Sequence, residues 1–385
     1  MRLFTLFLIG LAIYLAPPLP SHAQNRSLGG DDSFRHEIQR SIDKGLLWLE
    51  KNQDPKGFWA SADHPAVTAL SLSVFMGEPT GRWKKSEPEA VRKGYAFLLD
   101  SVKPDGSIHR GQLVNYNTAI SMMALLAANK KEHEPVLRKA RAFLVASQID
   151  FGKKGVVDDV FDGGIGYGSK YQHSDMNNTL MALEALHYSR HLVKDAPAEP
   201  DLNWAAAIAF LKNCQQLPAN TQAWVSADPK DRGGFVYYPG HSMAGGVTNS
   251  ATGKVALRSY ASVSYAGMLS FTYADMKKDD PRLTAVFDWL QKNYTLTENP
   301  GMGPQGYYYY LHLMTKALTL YGVNELELKD GRRIHWRREV AMHLINLQKP
   351  DGSWLNDQHA RWWEKETPLV TAYCLIALEL IHRGL

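Results

Sequence analysis

Apolar and polar positions along the chain fall into two alternating kinds of segment. One kind is amphipathic: KGLLWL at 44–49, KGYAFL at 93–98, KARAFL at 139–144, AAIAFL at 206–211, AVFDWL at 285–290 and VAMHLI at 340–345 share one apolar helical face. Their anchoring leucines, Leu49, Leu98, Leu144, Leu211, Leu290 and Leu344, are spaced by 49, 46, 67, 79 and 54 residues. The other kind is apolar around most of its circumference: AVTALSLSVF, YNTAISMMALLAA, NNTLMALEALHYS, SYAGMLSFTYA, YYLHLMTKALTLYG and PLVTAYCLIALEL. All-round apolarity predicts burial on every side. Each unit thus reads as an amphipathic outer helix followed by a buried inner helix, six times over.

The turn between the two helices has its own signature. Gln53, Gln148, Gln215 and Gln348 each stand four residues after an anchoring leucine, and each is followed by a glycine turn leading to a bulky residue. The first and last turns, QDPKGFW and QKPDGSW, place Gln53, Gly57 and Trp59 in register with Gln348, Gly352 and Trp354. Pro-Asp-Gly at 104–106 and 350–352 supplies turn formers, with glycine free to take positive φ. A Gln amide can bond backbone groups of the turn while Trp packs on the neighbouring pair, so these residues read as structural staples. Repeats of this length usually stack into open solenoids whose last unit needs a polar cap. Here the last inner helix, 369–381, is as apolar as the internal ones, so the expected architecture is all-α: a closed (α/α)6 toroid over residues 34–385, with the first and last staples meeting at the closure.

These residues carry a resemblance. Lys44-Gly45, Leu49, Gln53, Gly57 and Trp59, and again Gln348, Gly352 and Trp354, are similar to the QW repeat of the squalene/hopene cyclase and protein prenyltransferase superfamily. The segments at 163–186, 257–274 and 279–318 resemble an exported bacterial branch of prenyltransferase/squalene oxidase repeat proteins, for which the resemblance implies a fold and no particular reaction. The Asp-x-Asp-Asp acid of protonating cyclases does not occur, and the chain has room for one toroid where those cyclases join two. The Asp-x-Cys element of the prenyltransferase zinc site is missing around both Cys214 and Cys374. Asp158-Asp159-Val160-Phe161-Asp162 spells the DDxxD string that holds magnesium in ionising terpene synthases. It lies between Gly155 and Gly163, where no helix brings the carboxylates together, and reads as an acidic surface loop that at most binds a hard cation. His187 and His191 stand at i, i+4 near a helix end without a third ligand; no metal and no cofactor are expected. HExxH, GxSxG and P-loop strings are absent.

Composition adds two bounds. With 43 Lys and Arg against 39 Asp and Glu there is no reason to expect a nucleic-acid partner. Residues 1–23 carry Arg2, an apolar run from Leu3 to Ala16, two prolines and a Ser-His-Ala end, the layout of a cleaved export signal too short to span a bilayer. The expectation is a periplasmic or secreted chain with no transmembrane segment, led by a flexible stretch at 24–33. Cys214 and Cys374 are the only cysteines, too few for a disulfide framework.

In a closed ring the inner helices surround a funnel and their N-termini gather at one mouth, which six helix dipoles would make attractive to anions. Candidate acids there are Asp63 and Asp175, both also placed to cap helices. Candidate ligand contacts are His64, Asn178, Tyr260, Tyr265, Tyr308 and His312, the tyrosines suiting a carbocation, an isoprenoid chain or a sugar ring alike. The long loops 149–168 and 217–255 are candidate lids or a surface for a protein partner. The reading is a toroid that binds, and in one version transforms, an isoprenoid or other apolar ligand. A non-catalytic binding or scaffold protein, holding a lipid, glycan or partner, and a polysaccharide lyase-type toroid are the alternatives.

Overall fold

The structure, a computed structural model, describes residues 28–168, 171–195 and 199–385. The expected export signal and residues 24–27 lie outside these. The chain runs α1 (Leu28–Lys51), α2 (Pro65–Gly77), a short α3 (Arg82–Lys85), α4 (Glu89–Asp100), α5 (Val114–Ala128), α6 (Glu134–Ala146), α7 (Met176–Tyr188), α8 (Trp204–Cys214), α9 (Ala261–Tyr273), α10 (Pro281–Lys292), α11 (Tyr307–Tyr321), α12 (Trp336–Leu347) and α13 (Thr367–Gly384). Helix α1 reaches back to Leu28, so residues 28–33 are helical where the sequence suggested a flexible lead. Two small antiparallel hairpins, Gly246–Thr248 with Val255–Leu257 and Leu326–Glu327 with Arg333–Ile334, decorate the loops.

The inner helices α2, α5, α7, α9, α11 and α13 pack each on the next, and α13 packs on α2, so the ring closes. This is the all-α toroid of helix pairs. Every residue of α2 is buried, and only the ends of α13 are not. The outer helices α1, α4, α6, α8, α10 and α12 bury one stripe, in which all six anchoring leucines are inaccessible or nearly so.

What joins one unit to the next is a repeated set of hydrogen bonds. Gln53 Nε2 donates to Gly57 O in its own turn and to Ala90 O at the start of the next outer helix. Gln148 does the same to Gly163 O and Asn203 O, Gln215 to Gly233 O and Arg282 O, and Gln348 to Gly352 O and Ser41 O. The last of these joins the end of the chain to its beginning. Beside each glutamine, the turn glycine lies against a backbone carbonyl one helical turn further along that outer helix. A Cβ on Gly57, Gly106, Gly163, Gly233 or Gly352 would sit 2.0–2.5 Å from the carbonyl oxygen of Lys93, Lys139, Ala206, Ala285 or Lys44. The second unit keeps this contact through Gly106 with Val102 in the glutamine position.

The bulky residue after each glycine is tied to its own inner helix. The N–H of Trp59, Ile108, Ile165, Phe235 and Trp354 donates to the hydroxyl of Thr68, Thr118, Thr179, Ser264 and Thr371. The buried indoles of Trp59 and Trp354 also donate, at 2.8 Å, to Leu49 O and Leu344 O, carbonyls that the ending outer helix leaves without a full set of donors. The fifth unit departs from the pattern. Tyr294 reaches Glu339 of α12, while the Tyr307 hydroxyl donates to Leu296 O and sits against His343 Nε2.

Gly352→Ala adds a methyl group at φ +98° into the Lys44 carbonyl, and should cost about 2–4 kcal/mol by urea unfolding. Gly111→Ala, at φ +110° with open space around it, isolates the backbone strain and should cost about 1 kcal/mol. Equal losses at the two positions would mean that close approach to the first helix does not matter.

Candidate functional site

The six inner helices share a direction, and the residues of their first turns point at the ring axis. There they enclose a cavity of about 340 Å³. Its walls combine Ala66, Val67, Leu113, Met243 and Leu369 with six tyrosines, Tyr116, Tyr167, Tyr237, Tyr260, Tyr309 and Tyr373, and with His64, Asn177 and Ser262. Trp362 and Trp363, each 39% exposed, form the rim, and Trp363 meets His64 edge-on with ring centroids 3.9 Å apart. Leu113, Trp362 and Trp363 hold positive φ (47°, 56° and 66°). Bulky side chains occupy this region only where the surroundings force them, and such strain gathers at functional sites.

Among the described residues no Asp, Glu, Lys or Arg lines the cavity. Burial pushes the hydroxyls of Tyr116, Tyr167, Tyr237, Tyr260, Tyr309 and Tyr373 up and the His64 imidazole down, so all of them are uncharged at neutral pH. Four of the six inner-helix N-termini at the mouth are already engaged by side chains. Ala66 N donates to Asn117 Oδ1, Ser262 N to Asn299 Oδ1, Asn177 N and Asn178 N to Asp175 Oδ1, and Tyr309 N to Glu364 Oε1. Donors that an anion would need are spent on the protein itself.

Two buried carboxyls stand behind the walls. Asp175 caps α7, takes a third bond from Asn178 Nδ2 at 2.7 Å, and is hydrogen-bonded by Tyr237, whose hydroxyl lies 3.1 Å from that of Tyr167. Burial outweighs these donors and raises its pKa to about 6. Glu364 caps α11 from the neighbouring unit and accepts Asn356 Nδ2 at 2.6 Å; burial raises it to about 7. The sequence reading did not single out Glu364, since it lies in an irregular stretch beyond two left-handed tryptophans.

Of the residues proposed from sequence, His64 and Tyr260 line the cavity. Asp175 and Asn178 lie one shell behind it, both buried. Asp63 is exposed and outside the lining, because the residue entering α2 at its N-cap is His64. Tyr265 and Tyr308 are core residues: Tyr265 packs on Tyr310 at 5.8 Å and Tyr308 on Tyr307 at 5.1 Å, a helical turn or a face away from the axis. His312 lies deeper on the axis, in a separate small chamber. Tyr116, Tyr167, Tyr309 and Tyr373 carry the cavity instead. The signal that finds them is position: Tyr116 and Tyr309 are the third residues of their helices, in the same rank as Val67 and Leu369.

The remaining polar strings serve the fold. Asp162 accepts the N–H groups of Phe151, Asp158 and Asp159, so the acidic loop is folded around one carboxylate rather than presenting three. His187 Nδ1 is bonded to Tyr273 O and His191 Nδ1 to Tyr188 O. Cys214 and Cys374 are buried free thiols. Among the described residues no group of three His, Cys, Asp or Glu is placed to hold a metal, and no helix is long and apolar enough to cross a membrane.

Raised carboxyl pKa values are a stability statement. Folded Asp175 and Glu364 keep protons that the unfolded chain releases near pH 4, so their contribution is complete below about pH 4 and is lost as pH rises through about 6 and 7. Each is worth on the order of 3 kcal/mol. Buried histidines titrate in the opposite sense, so the measure is a difference: Asp175→Asn with Glu364→Gln should gain stability relative to wild type between pH 5 and 7.5, followed by thermal unfolding.

No protein-family model matches the chain. Solved structures match it in fold. A variant of the type II terpene cyclase MstE from Scytonema superposes with a TM-score of 0.55 at 12% identity, covering 92% of this chain and 99% of that one. MstE has also been solved with geranylgeranyl dihydroxybenzoate as substrate (TM-score 0.52, 12% identity, coverage 92% and 99%). The α-1,6-mannanase GH76A of Salegentibacter sp. HEL1_6, in an inactive variant bound to α-1,6-mannotriose, gives 0.54 at 10% identity, covering 90% and 99%. Both neighbours are helical toroids, and at these identities the likeness is one of fold.

Proposed function

We propose that the protein binds a neutral, predominantly apolar ligand of isoprenoid type in the tyrosine-lined funnel. The observation that carries this is an open cavity of about 340 Å³ whose lining, among the described residues, holds no charged side chain. That volume lies within the roughly 300–1,000 Å³ of small-molecule sites. A carboxylate or phosphate buried there would meet no counter-charge, at a cost of several kcal/mol. A glycan brings a hydroxyl on nearly every carbon and needs a partner for each; Asn177, Ser262 and the tyrosine tips are few, while Val67, Leu113, Leu369 and the two tryptophans offer apolar surface. The terpene cyclase neighbour agrees with this choice and the mannanase neighbour supplies the competitor. Residues 1–23 place the working protein outside the cytoplasm in this proposal, with the mature chain beginning at 24. Met243, from the loop 217–255, belongs to the cavity wall, so that loop serves the ligand in this reading rather than a protein partner.

A second reading, acid–base chemistry on the bound ligand, has one specific support: Asp175, with its pKa raised to about 6, connects through Tyr237 to Tyr167 at the cavity wall. Turnover that Tyr237→Phe abolishes while leaving binding intact would favour it.

The test of the main reading is direct. Native mass spectrometry of the exported protein should show a retained neutral lipid. Geranylgeraniol should quench the fluorescence of Trp362 and Trp363 saturably, with Trp363→Ala weakening binding about tenfold, on the order of 1.4 kcal/mol. Saturable binding of mannotriose without binding of the isoprenoid would overturn the assignment.

A further inference from the structure

Below the funnel the ring axis is not filled solidly. One and two helical turns further down, the same axial stripe encloses a second chamber of about 30 Å³, above the roughly 10–15 Å³ that a cavity needs to hold a water molecule. Tyr116 and Tyr373 line both spaces and are hydrogen-bonded to each other, so they form the partition. The chamber is polar where a toroid axis has no structural need for polarity. His312, 4% exposed, stacks on Tyr373 with ring centroids 5.0 Å apart; the ring is hydrogen-bonded to the Tyr373 backbone, while its buried Nδ1 has no hydrogen-bond partner. Glu184 of α7 and Lys316, one turn beyond His312 on α11, are paired with each other and largely withdrawn from solvent. Nothing in the staples, caps or funnel walls uses these three residues.

An unpaired buried ring nitrogen is costly unless something completes it. We infer that the lower chamber is a head-group subsite for a single neutral hydroxyl, so that the funnel's ligand is an isoprenoid-type alcohol bound hydroxyl end down. The inference rests on the funnel reading and narrows it. The head group passes between Tyr116 and Tyr373, replaces their mutual hydrogen bond, and is completed by His312 Nδ1. Glu184 and Lys316 neutralise each other, so a carboxylate or phosphate head would leave a net charge buried, whereas a hydroxyl leaves none. The chamber is far smaller than the funnel above it, which favours a small head group over a sugar. Burial holds the His312 pKa at about 3, with Lys316 adding to the effect, so the imidazole stays neutral and the preference should not change between pH 6 and 8.

Isothermal titration of the mature protein with farnesol, farnesyl methyl ether and farnesene separates the possibilities. The inference expects farnesol to bind roughly tenfold tighter than the ether or the hydrocarbon, the worth of one satisfied buried hydrogen bond. His312→Phe, which keeps the stacking on Tyr373, should erase that preference while leaving farnesene binding unchanged. Should that variant fail to fold, the imidazole nitrogen resonances of the wild-type protein serve instead: farnesol should shift one histidine and farnesene should not. Equal affinity for all three probes, or a preference that survives His312→Phe, would overturn the head-group subsite and leave the funnel reading standing. Failure of all three to bind would overturn both.

Discussion

The ring depends on one amide. A glutamine side chain at the end of an outer helix has two N–H groups, and here both go to backbone carbonyls: one in its own turn, one on the next outer helix. The next carbonyl can be reached only because the intervening glycine lacks a Cβ and adopts φ near +90°, letting two backbones touch. Angle and distance between neighbouring units are therefore set by main-chain contact, which tolerates little variation, rather than by side-chain packing, which tolerates more. Four such junctions, a fifth that keeps only the glycine contact and a sixth made by Tyr294 and Tyr307 bring the end of the chain back to its start, where Gln348 and Ser41 exchange two hydrogen bonds. No terminal unit is left exposed to need a polar cap.

Closure also decides where chemistry can occur. It points every inner helix the same way, so the first-turn residues of six helices converge on one small space, and those a turn or two deeper converge on a second. The axial stripe repeats at i, i+3 or i+4, and i+7: Tyr116, Ile120 and Met123 on α5; Asn177, Met181 and Glu184 on α7; Tyr309, His312 and Lys316 on α11; Leu369, Tyr373 and Ile376 on α13. Helix N-termini converging in this way would build up positive potential, and the protein answers with its own groups, Asp175, Glu364, Asn117 and Asn299. The mouth is thus lined by neutral hydroxyls and rings with its carboxyls hidden behind them.

How much of this is legible in the sequence follows from the range of each interaction. Helix pairs, their number and their closure are written in periodicity and in the spacing of Leu49, Leu98 and their counterparts, because burial acts on every residue of a stripe. The Thr68, Thr118, Thr179, Ser264 and Thr371 hydroxyls recur at one place in the inner helices, a pattern visible in hindsight with a defined partner, the N–H of the bulky turn residue. Site residues are harder, since tyrosine content says nothing about direction. Tyr260 faces the axis and Tyr265, five residues on, faces the core, a difference that appears only when the helix start is known to within one residue. Glu364 is further beyond reach: it follows Trp362 and Trp363 in a backbone conformation that no local preference favours, and its partner, Tyr309 N, is 55 residues away.

The separation between staples and axis explains how one fold serves unrelated ligands. The glutamines and glycines that hold the ring lie in the turns after the outer helices and the hydroxyls meet those turns from the inner helices, and none of these residues lines the two axial spaces. An axial substitution changes the ligand's surroundings without altering the step from unit to unit, so a toroid can pass from apolar to polar cargo while its backbone stays recognisable. A terpene cyclase and a mannanase superposing on this chain at 12% and 10% identity fit that division. Within this chain the same division makes the axial polar groups informative. Glu184, Lys316 and His312 could be apolar without disturbing a single staple, and a buried ion pair is at best weakly stabilising compared with a well-packed apolar replacement. Their presence on the axis is a cost the fold does not require, and a polar ligand end is what would offset it.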